Sequence, residues 1–277
     1  MKYMIYDKYY NTNAQSLISS TKMLFAYLDL ELLSADVVSS VGLADCGGYW
    51  ARLVQKDDLL RNVAYNLALA NAANAMLVFL EEDTYANAFY AKTLIESHTS
   101  LMREIETQYL HRFNLLYDSK VQMSYLPDLL NSLDITPLVQ KQFHSYLFAM
   151  IRGAYYGHLP KSTNYRIYEQ IGLKAVELPF VNQYYAHLLA NNPQSAYYNT
   201  GKYFFDIADL GVDFILSYSL SQFDMLDSHR PQLCKAYNRD DIALPILFLP
   251  QVLLLAFGEK DKKKLGFTHH KQKVEIF

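Results

Sequence analysis

Three consecutive carboxylates, Glu81-Glu82-Asp83, stand between an apolar run and an amphipathic one, where oxygen ligands at the C-terminal end of a strand could hold a hard cation. The helix dipole by itself also favours acids in a first helical turn, and that structural reading is the expected one. Cys46 precedes Gly47-Gly48, and amides of a glycine-rich turn can lower a thiol pKa and make it a nucleophile. No spacing ties Cys46 to a histidine, so no catalytic residue is assigned. His269-His270 could join His158 or Cys46 around a metal, but beside Lys262-Lys263-Lys264 the pair reads as a solvated tail, and no metal is expected. Gly42-x-x-x-x-Gly47-Gly48 lacks the Lys-Ser/Thr of a phosphate-binding loop. The tyrosine pairs at 9 and 10, 155 and 156, 184 and 185, and 197 and 198 could stack on bases. Without interleaved basic residues to neutralise phosphates, core or interface packing is the expected use.

Composition narrows the field further. In 277 residues, 51% are apolar and 19% charged, which excludes a disordered or acidic-tail protein. A net charge of -3 from 25 basic and 28 acidic residues leaves no electrostatic footprint for nucleic acid or an anionic membrane. Two cysteines, Cys46 and Cys234, can make neither a disulfide framework nor a four-thiolate site. Met1-Lys2 leads into mixed tyrosines and charges, unlike a signal peptide, so a cytoplasmic chain is expected, with any membrane association made through a partner. The most apolar run, Leu244 to Phe257, holds two prolines and is shorter than the ~20 residues of a membrane span; it is expected in the core, with no direct membrane insertion.

The elements that must position these residues alternate between short apolar strands and amphipathic helices, which predicts an α/β fold of open sheets with helices on both faces. Strands are predicted at 3–6, 31–33, 76–80, 154–156, 175–178, 214–217 and 246–247. Helices are predicted at 14–28, 58–71, 83–94, 100–113, 127–133, 197–210 and 221–233. Asn71 to Tyr85 lies on Asp209 to Phe223 without a gap, each a helix end, a turn, an apolar strand and a polar helix start. Tyr27 to Leu33 and Ile171 to Glu177 form a second matching pair upstream. The repeat predicts two related α/β halves, 1–120 and 150–277, joined by a helical connector at 121–149.

The order of elements, the repeat, and the closing segment Pro245 to Gly258 followed by Leu265-Gly266 and His269 resemble the B-type subunit of heterodisulfide reductase over nearly the whole chain. This cysteine-rich, or CCG-domain, family includes subunits of certain succinate dehydrogenases and fumarate reductases and of glycolate and lactate oxidation complexes. In the family, each half carries an early cysteine, a Cys-Cys-Gly element and a Cys-x-x-Cys after a strand, and these thiolates hold iron-sulfur clusters or zinc. Laid on this chain, the early cysteine falls near Tyr9, the first Cys-Cys-Gly on Asp45-Cys46-Gly47, and the first Cys-x-x-Cys on Glu81-Glu82-Asp83-Thr84. In the second half, Tyr156-Gly157-His158 looks like the family's Tyr-Gly-Cys-His with the cysteine deleted. The Cys-Cys-Gly becomes Tyr184-Tyr185-Ala186, and the last pair becomes Ser219 and Gln222.

A cluster needs several thiolates converging on one site, and Cys46 and Cys234, one per half, do not supply them. The resemblance therefore implies a degenerate member with no bound cofactor, in which Tyr9, Asp45, Cys46, Glu81, Thr84, Tyr184, Tyr185, Ser219 and Gln222 mark vestigial cluster positions. Tyr184 and Tyr185 are expected to turn inward and plug the former cavity; the alternative is a docking face on which the same tyrosines are partly exposed. The function this implies is not catalytic: a binding or scaffolding subunit with a protein partner, in a redox or respiratory complex. The alternative is an oxidoreductase component of the heterodisulfide reductase, succinate dehydrogenase or fumarate reductase type that keeps an electron-transfer role.

Overall fold

The computed structural model describes residues 1–9, 13–37, 39–159, 166–178, 183–240 and 242–275; Tyr10, one of the paired tyrosines, lies outside them. Along the first strand, β1 (Lys2–Ile5), Tyr3 and Ile5 face one core while Met4 and the following Tyr6 face another. This period-two split is what a strand covered on both sides requires. β2 (Ala75–Phe79) divides the same way, with Val78 in the first core and Leu77 and Phe79 in the second. Leu17, Ile18, Leu24 and Phe25 of α1 (Ala14–Tyr27) fill the first core. After the four-residue α2 (Ala51–Val54), α3 (Lys56–Ala72) and α4 (Glu82–Ser97) supply the second. α5 (Thr99–Gln108) leads on to β3 (Met123–Tyr125) and α6 (Leu126–Asn131).

The second sheet opens with β4 (Leu147–Ile151) and, after α7 (Arg166–Gln170), continues with β5 (Lys174–Ala175). Then follow α8 (Pro193–Ala208), β6 (Phe214–Ser217), α9 (Leu220–Asp227), α10 (Arg230–Tyr237), β7 (Ile246–Leu247) and α11 (Leu249–Ala256). Both sheets are parallel, in the orders β1-β2-β3 and β5-β4-β6-β7. A bridge from Tyr3 to Leu32 occupies the edge that β5 holds in the second sheet, so the strand orders correspond. The core on the α1 side of the first sheet runs on into the second sheet, joining Val78 and Leu80 to Phe148, Ile151 and Leu216. The chain is thus a mixed α/β protein of two pseudo-repeated parallel sheets flanked by helices.

The internal alignment holds at residue level: β2 falls on β6, and Glu81 and Ser219 each cap the following helix from an extended conformation. Elsewhere the prediction shifts. The strand expected at 154–156 lies at 147–151, and Tyr156–His158 is a 3-10 turn. Gly153, just beyond the strand, lets Asp83 approach closely, because a Cβ there would meet Asp83 Oδ1 at 2.6 Å. The strand at 31–33 shrinks to the Leu32 bridge.

The stretch 121–149, expected to be helical, contains β3 and the start of β4 besides α6. A three-residue strand is too short for its period to register. Its signal was a further repeat: Tyr125-Leu126-Pro127-Asp128 and Phe248-Leu249-Pro250-Gln251 each lead from a strand into a helix with proline in the first turn, where the missing N–H costs no helical bond. We retain as a proposal the division at 1–120, 121–149 and 150–277; sheet membership itself changes between Tyr125 and Leu147. The run from Leu244 to Phe257 becomes β7 and the buried α11, and among the described residues no helix is long and apolar enough to cross a membrane.

Candidate functional site

Glu81 ends the β2 segment at φ -136°, ψ 163°, and its carboxylate accepts from the amides of Thr84 at 2.6 Å and Asp83 at 3.1 Å. This side-chain cap satisfies two of the donors that open α4. Glu81, Glu82, Asp83 and Thr84 are all buried, between 0 and 5% exposed, because the second half lies directly against them. Glu82 Oε1 pairs with Arg152 Nη2 at 2.5 Å, its Oε2 accepts from the Gly153 amide at 2.5 Å, and its own amide donates to Tyr218 O at 2.9 Å. Asp83 Oδ2 accepts from Ser219 Oγ at 2.9 Å, and Oδ1 accepts from the Tyr155 amide at 3.3 Å. The Arg152 guanidinium lies over the rings of Tyr156 and Tyr218, at 4.0 and 4.5 Å.

Burial pushes the Glu82 carboxyl up to about 7, against the pull of Arg152 and the Gly153 amide. Burial also raises Glu81, with the charge of Asp83 adding to it, and raises Asp83 against its bond from Ser219. The three acids thus serve separate partners. Among the described residues no group of three or more His, Cys, Asp or Glu is placed to hold a metal ion.

A cavity of about 170 Å³ opens beside this junction, lined by Tyr9, Asp45, Glu81, Thr84 and Tyr184 among the positions singled out from the sequence, together with Lys8, Gly48, Tyr49, Asp83 and Ser221. Tyr9 packs edge-on against Tyr6 at 5.1 Å and accepts from the Leu80 amide at 3.4 Å. Asp45 Oδ1 accepts from the Gly47 amide at 2.9 Å. Ser219 is reached through Ser221, their hydroxyls 2.9 Å apart. Gln222 points away, donating to Gln183 O at 2.6 Å and accepting from Tyr203 at 2.6 Å.

Tyr184 and Tyr185 are half-buried, not fully buried plugs. Tyr184 stacks on Tyr49 and His187 and shares a 2.9 Å hydrogen bond with Ser221, and Tyr185 stacks on Tyr203 away from the cavity. Neither Arg152 nor Tyr49 was singled out from the sequence. The usable signal for Arg152 was a buried-strand end carrying an arginine, which needs a carboxylate partner.

Cys46 is fully buried beside Asp45; its amide donates to Tyr6 Oη at 2.8 Å and its Sγ accepts from Asn66 Nδ2 at 3.2 Å. Burial pushes the thiol up to about 12, the opposite of what a nucleophile needs. Native protein at pH 8 should therefore leave Cys46 unlabelled by a small disulfide reagent and react there only once unfolded. Peptide mapping after a timed exposure checks this, and fast labelling at Cys46 in the native state would contradict it.

His270 does not lie in a solvated tail, as expected from the sequence, but is enclosed, its side chain 1% exposed. Its Nε2 lies 3.0 Å from Ser16 Oγ and 2.8 Å from Gln251 Nε2, and its Nδ1 faces Asp227 at 3.9 Å. The Gln251 amide donor requires Nε2 to be the acceptor, which puts the ring proton on Nδ1. Ser16, His270 and Asp227 follow the order of a serine triad. However, the His270 and Asp227 side chains are 1% exposed, and burial holds the imidazole down at about 3, so no substrate reaches the hydroxyl and the ring is a poor base. Asp227 instead accepts from the Lys271 and Gln272 amides at 2.7 and 3.0 Å, clasping the C-terminal segment to the body.

The fold and this junction define the class: a mixed α/β protein of two corresponding parallel sheets, with a small cavity at the strand ends where they meet. Residues 185–271 match the family model of the HdrB-like C-terminal domain, so that segment of the chain is similar to an HdrB-like domain. Among solved structures, the chain is similar to a hypothetical protein from Helicobacter pylori, with 28% identity and a TM-score of 0.86 over 100% of this chain. It spans about half, 53%, of the length of that solved chain. No curated protein matches it.

The donors around the cavity do not fit the clusters or zinc of the family. Cys46 is the one thiol beside it, sealed and hydrogen-bonded, while Cys234 belongs to α10, in the core that the two sheets share. Tyrosine, serine and amide groups are poor replacements for thiolates.

Proposed function

We propose that this chain is a cluster-free, HdrB-like protein that acts without catalysis of its own, as a binding or scaffolding subunit in a redox or respiratory complex. The observation that carries this reading is the state of the junction. Side chains at the ligand positions are bonded to protein partners, Glu81 to the amides of α4, Asp83 to Ser219, and Tyr184 to Ser221. The remaining thiol, at Cys46, is buried with its pKa pushed to about 12. A chain that cannot pass electrons through thiolate-bound metal retains its surface and its HdrB-like shape, and both suit it to docking.

The test is anaerobic purification at native expression, with iron, sulfide and zinc assayed per chain, a visible spectrum, and identification of every co-eluting polypeptide. The expected result is no stoichiometric metal and a co-eluting subunit of a redox complex. One cluster per chain, or a visible chromophore, would refute the cluster-free reading in favour of electron transfer. A chain that elutes alone would refute the scaffolding role.

A further inference from the structure

The cavity between the two halves is not used by a scaffold, and its size, walls and polar edge together specify a ligand. At about 170 Å³ it falls below the roughly 300–1,000 Å³ of sites for drug-sized molecules and holds about one substituted six-membered ring. Tyr9, Tyr49, Tyr184 and Leu220 contribute to its walls, and such walls favour a flat, largely apolar occupant. The polar edge is a chain of hydroxyls: Tyr184 Oη and Ser221 Oγ are 2.9 Å apart, Ser221 and Ser219 are 2.9 Å apart, and Ser219 donates to Asp83 at 2.9 Å. With the last proton directed at a carboxylate, each hydroxyl donates to the next, and Ser221 has a lone pair left for an incoming donor.

Charge narrows the class. Lys8 and Asp45 of opposite charge line the cavity, and burial raises Glu81 and Asp83 towards their neutral forms, so neither an anion nor a cation meets a strong opposite field. A cation finds the oxygens of Glu81 and Asp83 already engaged by Thr84, Asp83, Ser219 and Tyr155.

We propose that this cavity is a binding site for a small neutral aromatic molecule, one ring wide, whose hydroxyl or amide N–H donates to Ser221 Oγ. The site is independent of the scaffolding reading and stands whether or not a partner is found.

Gly48 provides the test, because a Cβ built there meets nothing within 4 Å and it lines the cavity from an exposed position. Gly48→Phe should therefore obstruct entry without displacing the fold. Gly157→Phe is the control, in equally open space away from the cavity. Phenol, benzamide, toluene and tetramethylammonium would each be titrated into the full chain, followed by ligand-detected NMR and by the fluorescence of Trp50, whose ring is 5.0 Å from Tyr49. Circular dichroism would verify that each variant is folded.

The expected result is saturable binding of phenol and benzamide, with toluene and tetramethylammonium at least tenfold weaker. Phenol affinity should fall at least tenfold in Gly48→Phe and stay unchanged in Gly157→Phe. Ser221→Ala, which removes the accepting hydroxyl with little change in volume, should bring phenol down to the level of toluene. No saturable phenol binding, equal affinity in Gly48→Phe, toluene matching phenol in the unaltered chain, or tighter binding of tetramethylammonium would each overturn the proposal.

Discussion

Replacing Arg152 with alanine should cost about 3–5 kcal/mol of stability at pH 8, the usual penalty for leaving a buried charge without its partner. Glu82 is fully buried and Arg152 is 10% exposed at its side chain. The guanidinium also fills the space between Tyr156 and Tyr218, so the truncation removes packing along with charge. The size of the loss should depend on pH. Without Arg152, the Glu82 carboxyl rises further above its value of about 7, and at pH 5.5 it is protonated and neutral, so the variant should recover much of the loss. Urea unfolding of Arg152→Ala, Glu82→Gln and the double variant at both pH values measures this. The double variant should lose less than the sum of the two single losses at pH 8. A cost below 1 kcal/mol at pH 8 would show that the pair does not hold the halves together.

The unaltered chain should become less stable as pH rises from about 6.5 to 8.5, by about 1–2 kcal/mol. Glu82 titrates at about 7 in the folded chain, and Glu81 and Asp83 are also raised, whereas the unfolded chain releases these protons near ~4. Between those values the folded state binds more protons than the unfolded state. The stability these groups confer is therefore complete below the unfolded pKa and is lost as pH rises through the folded one. His270 works in the other direction: held at about 3, it adds stability as pH rises towards ~6.5 and nothing beyond. Cys46, pushed up to about 12, enters only above ~8.5. The window from 6.5 to 8.5 thus isolates the buried acids. Chemical unfolding across it should show a falling free energy in the native chain and a shallower fall in Glu82→Gln. A flat or rising curve would mean that these acids ionise inside the fold without penalty.

The legible parts of this protein were those whose information is local. The strand at 214–217 and the caps at Glu81 and Ser219 follow from a short apolar run ending in a polar residue that can accept from the next helix. That pattern repeats closely enough for one half to calibrate the other. The two-sheet α/β class follows from the same alternation. The convergence of Tyr9, Asp45, Glu81, Thr84 and Tyr184 on one cavity was accessible through the resemblance, because each follows or adjoins a strand end and parallel sheets gather such ends on one edge.

What the sequence could not specify was how one half meets the other. Glu81-Glu82-Asp83 reads as a helix start, and it is one. Whether those carboxylates face water, a cation or a guanidinium depended on Arg152 and Ser219, 70 and 136 positions away from Glu82 and Asp83. The partial burial of Tyr184, the sealing of Cys46 behind Tyr6 and Asn66, and the enclosure of His270 against Ser16 and Gln251 likewise depend on contacts between distant segments. Periodicity and capping act over one or two turns of chain and so are written in the sequence locally. Burial, and with it the protonation state and reach of every polar group at the junction, is set by whichever element packs on top, and only the tertiary structure decides that.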